Sequence, residues 1–259
     1  MLEQLYPVLE KRSLSETNTS WSALTTDITT CRACPRLVAW REQVARDKRR
    51  AYQAWDYWGK PVPGFGDPAG RVLVVGLAPG AHGSNRTGRM FTGDSSGDTL
   101  YSALHRAGFA SQPTSRHHED GLTLTDAFIT AVGRCAPPGN RPTPEELAQC
   151  RPFLAREFTL MPQVQVVVAL GQIAFDGCLR LLREHGFKHE AKDNPRLPST
   201  VYRLPKFGHG LSYLFNGTAS AERKYLVASY HPSRQNTQTG RLTQAMLDAL
   251  FERVRSLLL

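Results

Sequence analysis

Four short apolar runs, rich in β-branched residues and alternating with stretches of helical periodicity, constrain this chain more than any other feature. They are Arg71-Val-Leu-Val-Val-Gly76, Ala127-Phe-Ile-Thr-Ala-Val132, Val164-Gln-Val-Val-Val-Ala-Leu170 and Tyr225-Leu-Val-Ala-Ser229. A strand that is apolar on both faces of its pleat must be covered on both faces, and helices between parallel strands provide that cover. The helix signals lie in the right places. Ser96–Ala107 carries Leu100, Leu104 and Ala107 at helical spacing, and Gln172–Arg183 and Thr243–Leu258 are similarly periodic. Thr143-Pro-Glu-Glu supplies an N-cap, a proline at the first helical position and acids in the first turn. The expected fold is therefore three-layer α/β/α around a central, mostly parallel four-stranded sheet. Sites in such folds lie at the carboxyl ends of the strands.

The chain has 259 residues, enough for a single large domain with a well-buried core. Residues 1–30, polar and rich in Ser and Thr, read as an N-terminal extension to a domain spanning 31–259. Leu37–Tyr57 reads as a basic surface helix, ended by Trp55, Tyr57 and Trp58 and by the breakers Pro61, Pro63, Gly64 and Gly66. Residues 184–223 lack periodicity and read as an irregular insertion. There are 32 Lys and Arg against 23 Asp and Glu, a net charge of +9, which suits a polyanionic partner. No apolar run is long enough to span a membrane. The start, Met1-Leu2-Glu3-Gln4, has no basic region followed by an apolar stretch, so a cytoplasmic location is the expectation.

In a reducing compartment the five cysteines argue for metal ligation or buried thiols rather than disulfides. Cys31 and Cys34 form a C-x2-C. Cys135 follows after 100 residues, just past a strand, and Cys150 comes 14 residues later on the next helix. Four thiolates from these segments can meet at one edge of the sheet, a set that suits either zinc or a [4Fe–4S] cluster. Cys178 has apolar helical neighbours and reads as a core thiol.

Two loops carry the remaining chemistry. The first runs from Gly76 to Gly97 between a strand and a helix, with five glycines from Gly76 to Gly93. It lets backbone approach a ligand closely, and it is neither a Walker A motif nor G-x-G-x-x-G. Asp94 in this loop is a natural N-cap for the helix that follows. The second, Ser229-Tyr-His-Pro-Ser-Arg-Gln-Asn-Thr-Gln-Thr-Gly-Arg-Leu-Thr243, places His231 at a strand's carboxyl end, followed by Ser233, Arg234 and Arg241. Each of these residues has a plain structural reading, His231 as a core histidine, Phe91 as a core aromatic and Asn140 as a turn residue. None of those readings explains why both loops sit at the same sheet edge.

Taken together, Gly76-Leu-Ala-Pro-Gly, Gly88-Arg-Met-Phe-Thr-Gly-Asp94, Arg134-Cys-Ala-Pro-Pro-Gly-Asn140 and His231-Pro-Ser…Thr239-Gly-Arg resemble the uracil-DNA glycosylase superfamily, specifically its family 5. The resemblance runs from about residue 31 to 258 and includes the cysteine spacing, which in that family carries a [4Fe–4S] cluster on Cys31, Cys34, Cys135 and Cys150. The best-known branch has Asp where Ala78 stands, and family 4 has Glu where Leu77 stands. Both carboxylates are missing here, and the resemblance then makes Asp94 the water-activating residue and His231 the donor to the departing base. It also implies that Gly76, Ala78, Pro79, Phe91 and Asn140 hold the base. Ser233, Arg234 and Arg241 would grip duplex DNA as the loop enters the minor groove. The implied activity is monofunctional removal of uracil and other deaminated bases, with room at Ala78 for hypoxanthine, xanthine or ethenocytosine, by an enzyme that can act as a monomer. Two other classes compete: a non-catalytic DNA-binding protein with a structural metal site, which needs neither Asp94 nor His231, and an iron–sulfur redox protein, for which no flavin or nicotinamide fingerprint is present.

Overall fold

The computed structural model describes residues 14–190, 205–219 and 222–258. Its sheet has seven strands in the order β1-β3-β2-β4-β7-β6-β5. They are β1 (Phe65–Gly66), β2 (Val72–Gly76), β3 (Ala127–Ala131), β4 (Val166–Leu170), β5 (Lys188–His189), β6 (Ser212–Asn216) and β7 (Arg223–Ser229). The four apolar runs form the centre, where β3, β2, β4 and β7 pair in parallel, with Val74 opposite Ile129 and Val168 and Val168 opposite Val227. The sheet is wider than the four strands expected, because β1 closes one edge antiparallel and β6 and β5 extend the other. Those edge strands are short or only half-buried, so no apolar run marks them in the sequence.

Alternation along each central strand feeds two cores. Val72 and Val74 point to one face, against Leu100 and Leu104 of α4 (Ser95–Arg106) and Leu247, Leu250 and Phe251 of α8 (Gln244–Ser256). Leu73 and Val75 point to the other, against Leu154 and Phe158 of α5 (Pro144–Leu160) and Phe175 and Leu182 of α6 (Gln172–Glu184). This is the three-layer arrangement. Helix α5 starts at the expected capping box, Thr143 accepting from the Glu146 N–H while Glu146 reaches back to the Thr143 N–H.

Two stretches differ from expectation. Residues 14–30 form helix α1 (Leu14–Thr30), which buries Leu24 and Ile28 and sets Trp21 5.1 Å from Phe128. This part of the supposed extension thus belongs to the core; residues 1–13 lie outside the described residues. The basic helix is shorter than read. α2 spans Pro35–Asp47 and buries Leu37, Val38, Arg41 and Val44, and a single 3-10 turn follows at Arg50–Tyr52. Of the supposed insertion, 191–204 and 220–221 lie outside the described residues, and the rest supplies β5, β6 and the start of β7.

The chain runs from β2 out to β3, then returns to the other side of β2 as β4. The connections leaving β2 and β4 therefore diverge, which opens a crevice at their carboxyl ends.

Candidate active site

That crevice is a cavity of about 580 Å³, lined from four segments of the chain. Leu77, Ala78 and Gly80 come from the end of β2, Phe91 and Asp94 from the far end of the glycine-rich loop, Asn140 and Arg141 from beyond β3, and His231, Ser233 and Arg234 from beyond β7. The loops after β2 and β7 do meet at one sheet edge. Pro79 is buried in the loop, and Gly76 ends β2 beneath the Phe91 ring, where a Cβ on Gly76 would lie 2.7 Å from it.

Asp94 is the N-cap of α4, and its role in the cavity is set by that position. Its Oδ1 accepts the N–H groups of Ser96 and Gly97 at 3.0 and 3.1 Å. Oδ2 is left facing the turn of Gly80 and Gly83: a Cβ on Gly80 would stand 3.0 Å from it, and one on Gly83 would overlap it. The capping bonds fix the carboxylate plane, so one oxygen is structural and the other is presented to the cavity. Burial pushes its pKa above the ordinary carboxylate value; the two capping N–H groups and the Arg86 charge pull against that.

His231 lies across from it, its ring centroid 5.7 Å from that of Phe91 and tilted by 30°. Burial pushes the imidazole down to about 4, so it is neutral at pH 7. A neutral imidazole is still a hydrogen-bond donor through one nitrogen, and it adds no charge that would repel the neighbouring arginines. Its carbonyl accepts the side-chain amide of Asn236 at 2.8 Å, which ties it to α7 (Arg234–Gln238). The polar loop after the last strand thus contains a short helix.

Phe91 has φ +52, unusual for a residue with a Cβ. Neighbouring bonds enforce it. Tyr101 donates to the Met90 carbonyl at 2.9 Å, Thr92 and Ser115 share a 2.6 Å hydroxyl contact, and buried Arg89 pairs with Asp120 at 2.8 Å. Asn140 also has positive φ, +57, in the 3-10 turn Pro138–Asn140. Its side-chain amide makes no hydrogen bond among the described residues and is free for a ligand edge. Arg241 does not line the cavity; its guanidinium lies 4.6 Å over the Tyr230 ring. Sequence reasoning missed Arg141, although it directly follows Asn140. It also missed the supporting set of Arg86, Arg89, Ser115 and Asp120, which no local motif marks. Among the described residues Asp94 is the only acid lining the cavity, and Arg141 and Arg234 make its rim basic.

The four candidate ligand cysteines surround a second feature. Cys34 is the N-cap of α2, Cys31 lies just before it, Cys135 follows β3 and Cys150 is on α5. Cys34 and Cys135 each feel the charge of Cys150 and of Cys31. Burial pushes the Cys135 thiol up to about 12, yet buried Arg41 donates to its sulfur at 2.9 Å. No three His, Cys, Asp or Glu side chains among the described residues are gathered so as to hold a metal ion as they stand. The surroundings nevertheless fit an anionic centre. Arg41 and Arg134 are 2% and 1% exposed, and Arg41 Nε and two Arg134 nitrogens have no partner. Buried cations with unfilled donors beside four thiols are complementary to a bound thiolate group. Cys178 is fully buried in α6, as a core thiol should be.

Residues 63–255 match the family described as the uracil DNA glycosylase superfamily. The chain is similar to the type-5 uracil-DNA glycosylase of Mycobacterium leprae, 49% identical over 236 residues, covering 90% of this chain and 94% of that protein. It is 50% identical over 229 residues to the type-5 uracil-DNA glycosylase of Thermus thermophilus, covering 88% and 94% respectively. The corresponding protein of Mycobacterium bovis is 49% identical over 231 residues, covering 89% of this chain and 79% of that one.

Proposed function

From the premise that the chain belongs to the uracil-DNA glycosylase superfamily, in its type-5 branch, we propose that it hydrolyses the N-glycosidic bond of uracil, and of other deaminated bases, in duplex DNA. The observation that carries this reading is one free carboxylate oxygen of Asp94 and a neutral His231 lining the same cavity of about 580 Å³, together with glycine backbone and an aromatic face.

A base inside the duplex is out of reach of these groups, so the nucleotide must turn out into the cavity, at a cost of a few kcal/mol. The basic rim of Arg141 and Arg234 meets the backbone phosphates. Phe91, held in its unusual conformation, stacks on the extruded base, and the free amide of Asn140 reads its edge. As the glycosidic bond lengthens, positive charge grows on the sugar and negative charge on the base. Asp94 Oδ2 orients water beneath the sugar and stabilises its charge. The neutral imidazole of His231 donates to the base oxygen, the kind of preorganised donor whose loss costs about 3–4 kcal/mol. Among the described residues no lysine lines the cavity, which supports hydrolysis without a Schiff base and an intact DNA strand. Ala78 leaves volume that an acidic side chain would fill. That supports acceptance of hypoxanthine, xanthine and ethenocytosine.

Cys31, Cys34, Cys135 and Cys150 are the residues that would hold a [4Fe–4S] cluster, with Arg41 as a buried counter-charge; Arg134 beside Cys150 is itself paired with buried Glu157 at 2.6 Å. The hydrolysis moves no electron, so a bound cluster supplies only structure, cross-linking α2, α5 and the segment after β3. Brown protein with absorbance at about 400 nm supports the cluster; colourless protein with four thiolates on zinc refutes it.

The test is base release from an end-labelled duplex carrying one uracil or one hypoxanthine, followed by alkali. Alkali-dependent cleavage at both lesions is the expected result. Cleavage at uracil alone keeps the reaction and refutes the inference from Ala78. Binding without cleavage at either lesion would move the assignment to a DNA-binding protein.

A further inference from the structure

The buried guanidinium of Arg86 is unaccounted for by the chemistry above. Arg86 belongs to the short helix α3 (Ser84–Thr87) inside the glycine-rich loop and is 3% exposed. No carboxylate lies within ion-pair distance of it among the described residues. Its Nε donates to the His82 carbonyl and its Nη2 to the Gly93 carbonyl, both at 2.8 Å, while Nη1 has no partner. The charge sits in a corner of two aromatic rings, 4.0 Å from the centroid of Tyr52 and 4.0 Å from that of Trp55. Trp55, one of the aromatic residues that end the basic segment in the sequence, and Tyr52 before it thus shelter a cation that has no ion pair.

The two carbonyls it bridges are those that flank Asp94. Gly93 immediately precedes it, and His82 lies in the turn whose glycines face Oδ2. A Cβ on Gly93, itself at φ +80, would overlap Nη2, so the glycine is required for the guanidinium to reach. A neutral donor could tie two carbonyls more cheaply than a buried cation. What the cation adds is its charge.

We propose that Arg86 is the positioning residue of the active site: its fork pins both walls of the loop that holds Asp94, and its charge is the counter-charge of that carboxylate. This rests on the reading of Asp94 as the water-orienting group. Lysine cannot substitute, because a point ammonium cannot bridge two carbonyls in one plane. The other charges bearing on Asp94 are Asp98 on α4, which opposes its ionisation, and Arg141 and Arg234 with neutral His231 across the cavity.

The experiment is single-turnover excision of uracil as a function of pH for the parent, Arg86→Lys, Arg86→Gln and Trp55→Leu, with Asp94→Asn alongside and a melting curve for each. In Arg86→Lys, which keeps the charge and loses the fork, the rate at neutral pH falls about 100-fold with duplex binding retained and the acid limb in place. In Arg86→Gln, which also loses the charge, the acid limb of the profile moves up by about one pH unit. Trp55→Leu leaves the guanidinium in place and wets it; the limb moves the same way by about half as much. An Arg86→Gln rate reduced equally at every pH, with an unmoved acid limb, overturns the counter-charge; an unchanged rate in both Arg86 variants overturns the proposal entirely. Should Arg86→Gln melt below the assay temperature, the acid limb of Trp55→Leu decides alone. An active Asp94→Asn would instead sink the assignment of Asp94 and leave the effect of Arg86 to be read directly from its own profile.

Discussion

Asp94 does two jobs with two oxygens, and substitutions can separate them. Asparagine keeps an acceptor at the Oδ1 position and remains one of the best N-caps, while removing the charge from Oδ2. Alanine removes both. The cap is made by two N–H groups at 3.0 and 3.1 Å, and losing a cap of this kind costs about 1 kcal/mol. For a chain of this size that is about 3 °C in Tm. Burial raises the folded-state pKa of Asp94, so its stabilising contribution is greatest when protonated and declines as pH rises through the raised value. Neutralising it therefore relieves a desolvation cost at neutral pH, partly offset because Arg86 loses its counter-charge. Asp94→Asn should melt within about 2 °C of the parent or above it, and Asp94→Ala about 3 °C below Asp94→Asn.

Activity should not follow that order. Both variants lack the free carboxylate oxygen, and removing one preorganised electrostatic group of this type costs about 10²–10³ in rate. The assay is single-turnover uracil release from a labelled duplex, with differential scanning calorimetry on the same preparations. Equal loss of activity with unequal melting temperatures is the expected pattern. If Asp94→Asn keeps activity within tenfold of the parent, the carboxylate has no chemical role. If the two variants melt together, the cap adds nothing and the fixed carboxylate plane loses its physical basis.

Four other outcomes follow. His231 titrates near 4 in the folded chain and near 6.5 when unfolded, so the unfolded state binds more protons between those values and stability falls as pH drops through that window. Urea midpoints at pH 7 and 5 should differ less in His231→Gln than in the parent. Breaking the Arg89–Asp120 pair, whose side chains are 4% and 8% exposed, leaves an uncompensated buried charge. Asp120→Ala should lower stability by about 3–5 kcal/mol in denaturant unfolding and reduce uracil excision with it. If the proposed cluster sits on Cys31, Cys34, Cys135 and Cys150, iron analysis of purified protein should show full content in Cys178→Ala, a core thiol on α6, and loss in Cys135→Ala. Ala78→Asp should reduce release of hypoxanthine more than release of uracil in paired duplex assays; an equal reduction would refute the reading of that position as a size filter.

The legibility of this chain in its sequence depended on how local the physics was. β2, β3, β4 and β7 were readable because each buries both faces and so needs consecutive apolar residues. β6 was not, because Ser212–Asn216 is half-buried and takes its pairing from Lys224 and its neighbours on β7. Helix α1 was hidden for a similar reason: its sequence is polar, and among its described side chains Leu24, Ile28 and Trp21 reach the core. Asp94, His231, Phe91 and Asn140 could be singled out because the loops that carry them are contiguous. Arg86 and Arg89 could not be assigned from the same loop. Their partners Tyr52, Trp55, Ser115 and Asp120 lie about thirty residues away in either direction, and nothing in the sequence ties them to the loop.

The plain structural readings of the site residues turn out to hold alongside the functional ones. Asp94 does cap a helix, Asn140 does complete a turn, and Phe91 does pack on the core. This coexistence has a physical reason. A group that must be held to within a fraction of an ångström is best fixed by bonds the fold already makes, because a free side chain loses rotamer entropy each time it is used. One carboxylate oxygen given to the helix end makes the other rigid at no further cost. The positive φ of Phe91 and Asn140 is strain, and strain persists only where surrounding bonds over-determine it. For Phe91 those bonds are the Tyr101, Ser115 and Arg89 contacts; Asn140 is held by its own N–H, which donates to the Pro137 carbonyl in the 3-10 turn. The same logic places the most buried unpaired cation of the loop, Arg86, where it braces both sides of Asp94. Substitutions that spare the cavity but loosen these supports should therefore lower the rate through misplacement of Asp94 or Phe91, with DNA binding left intact.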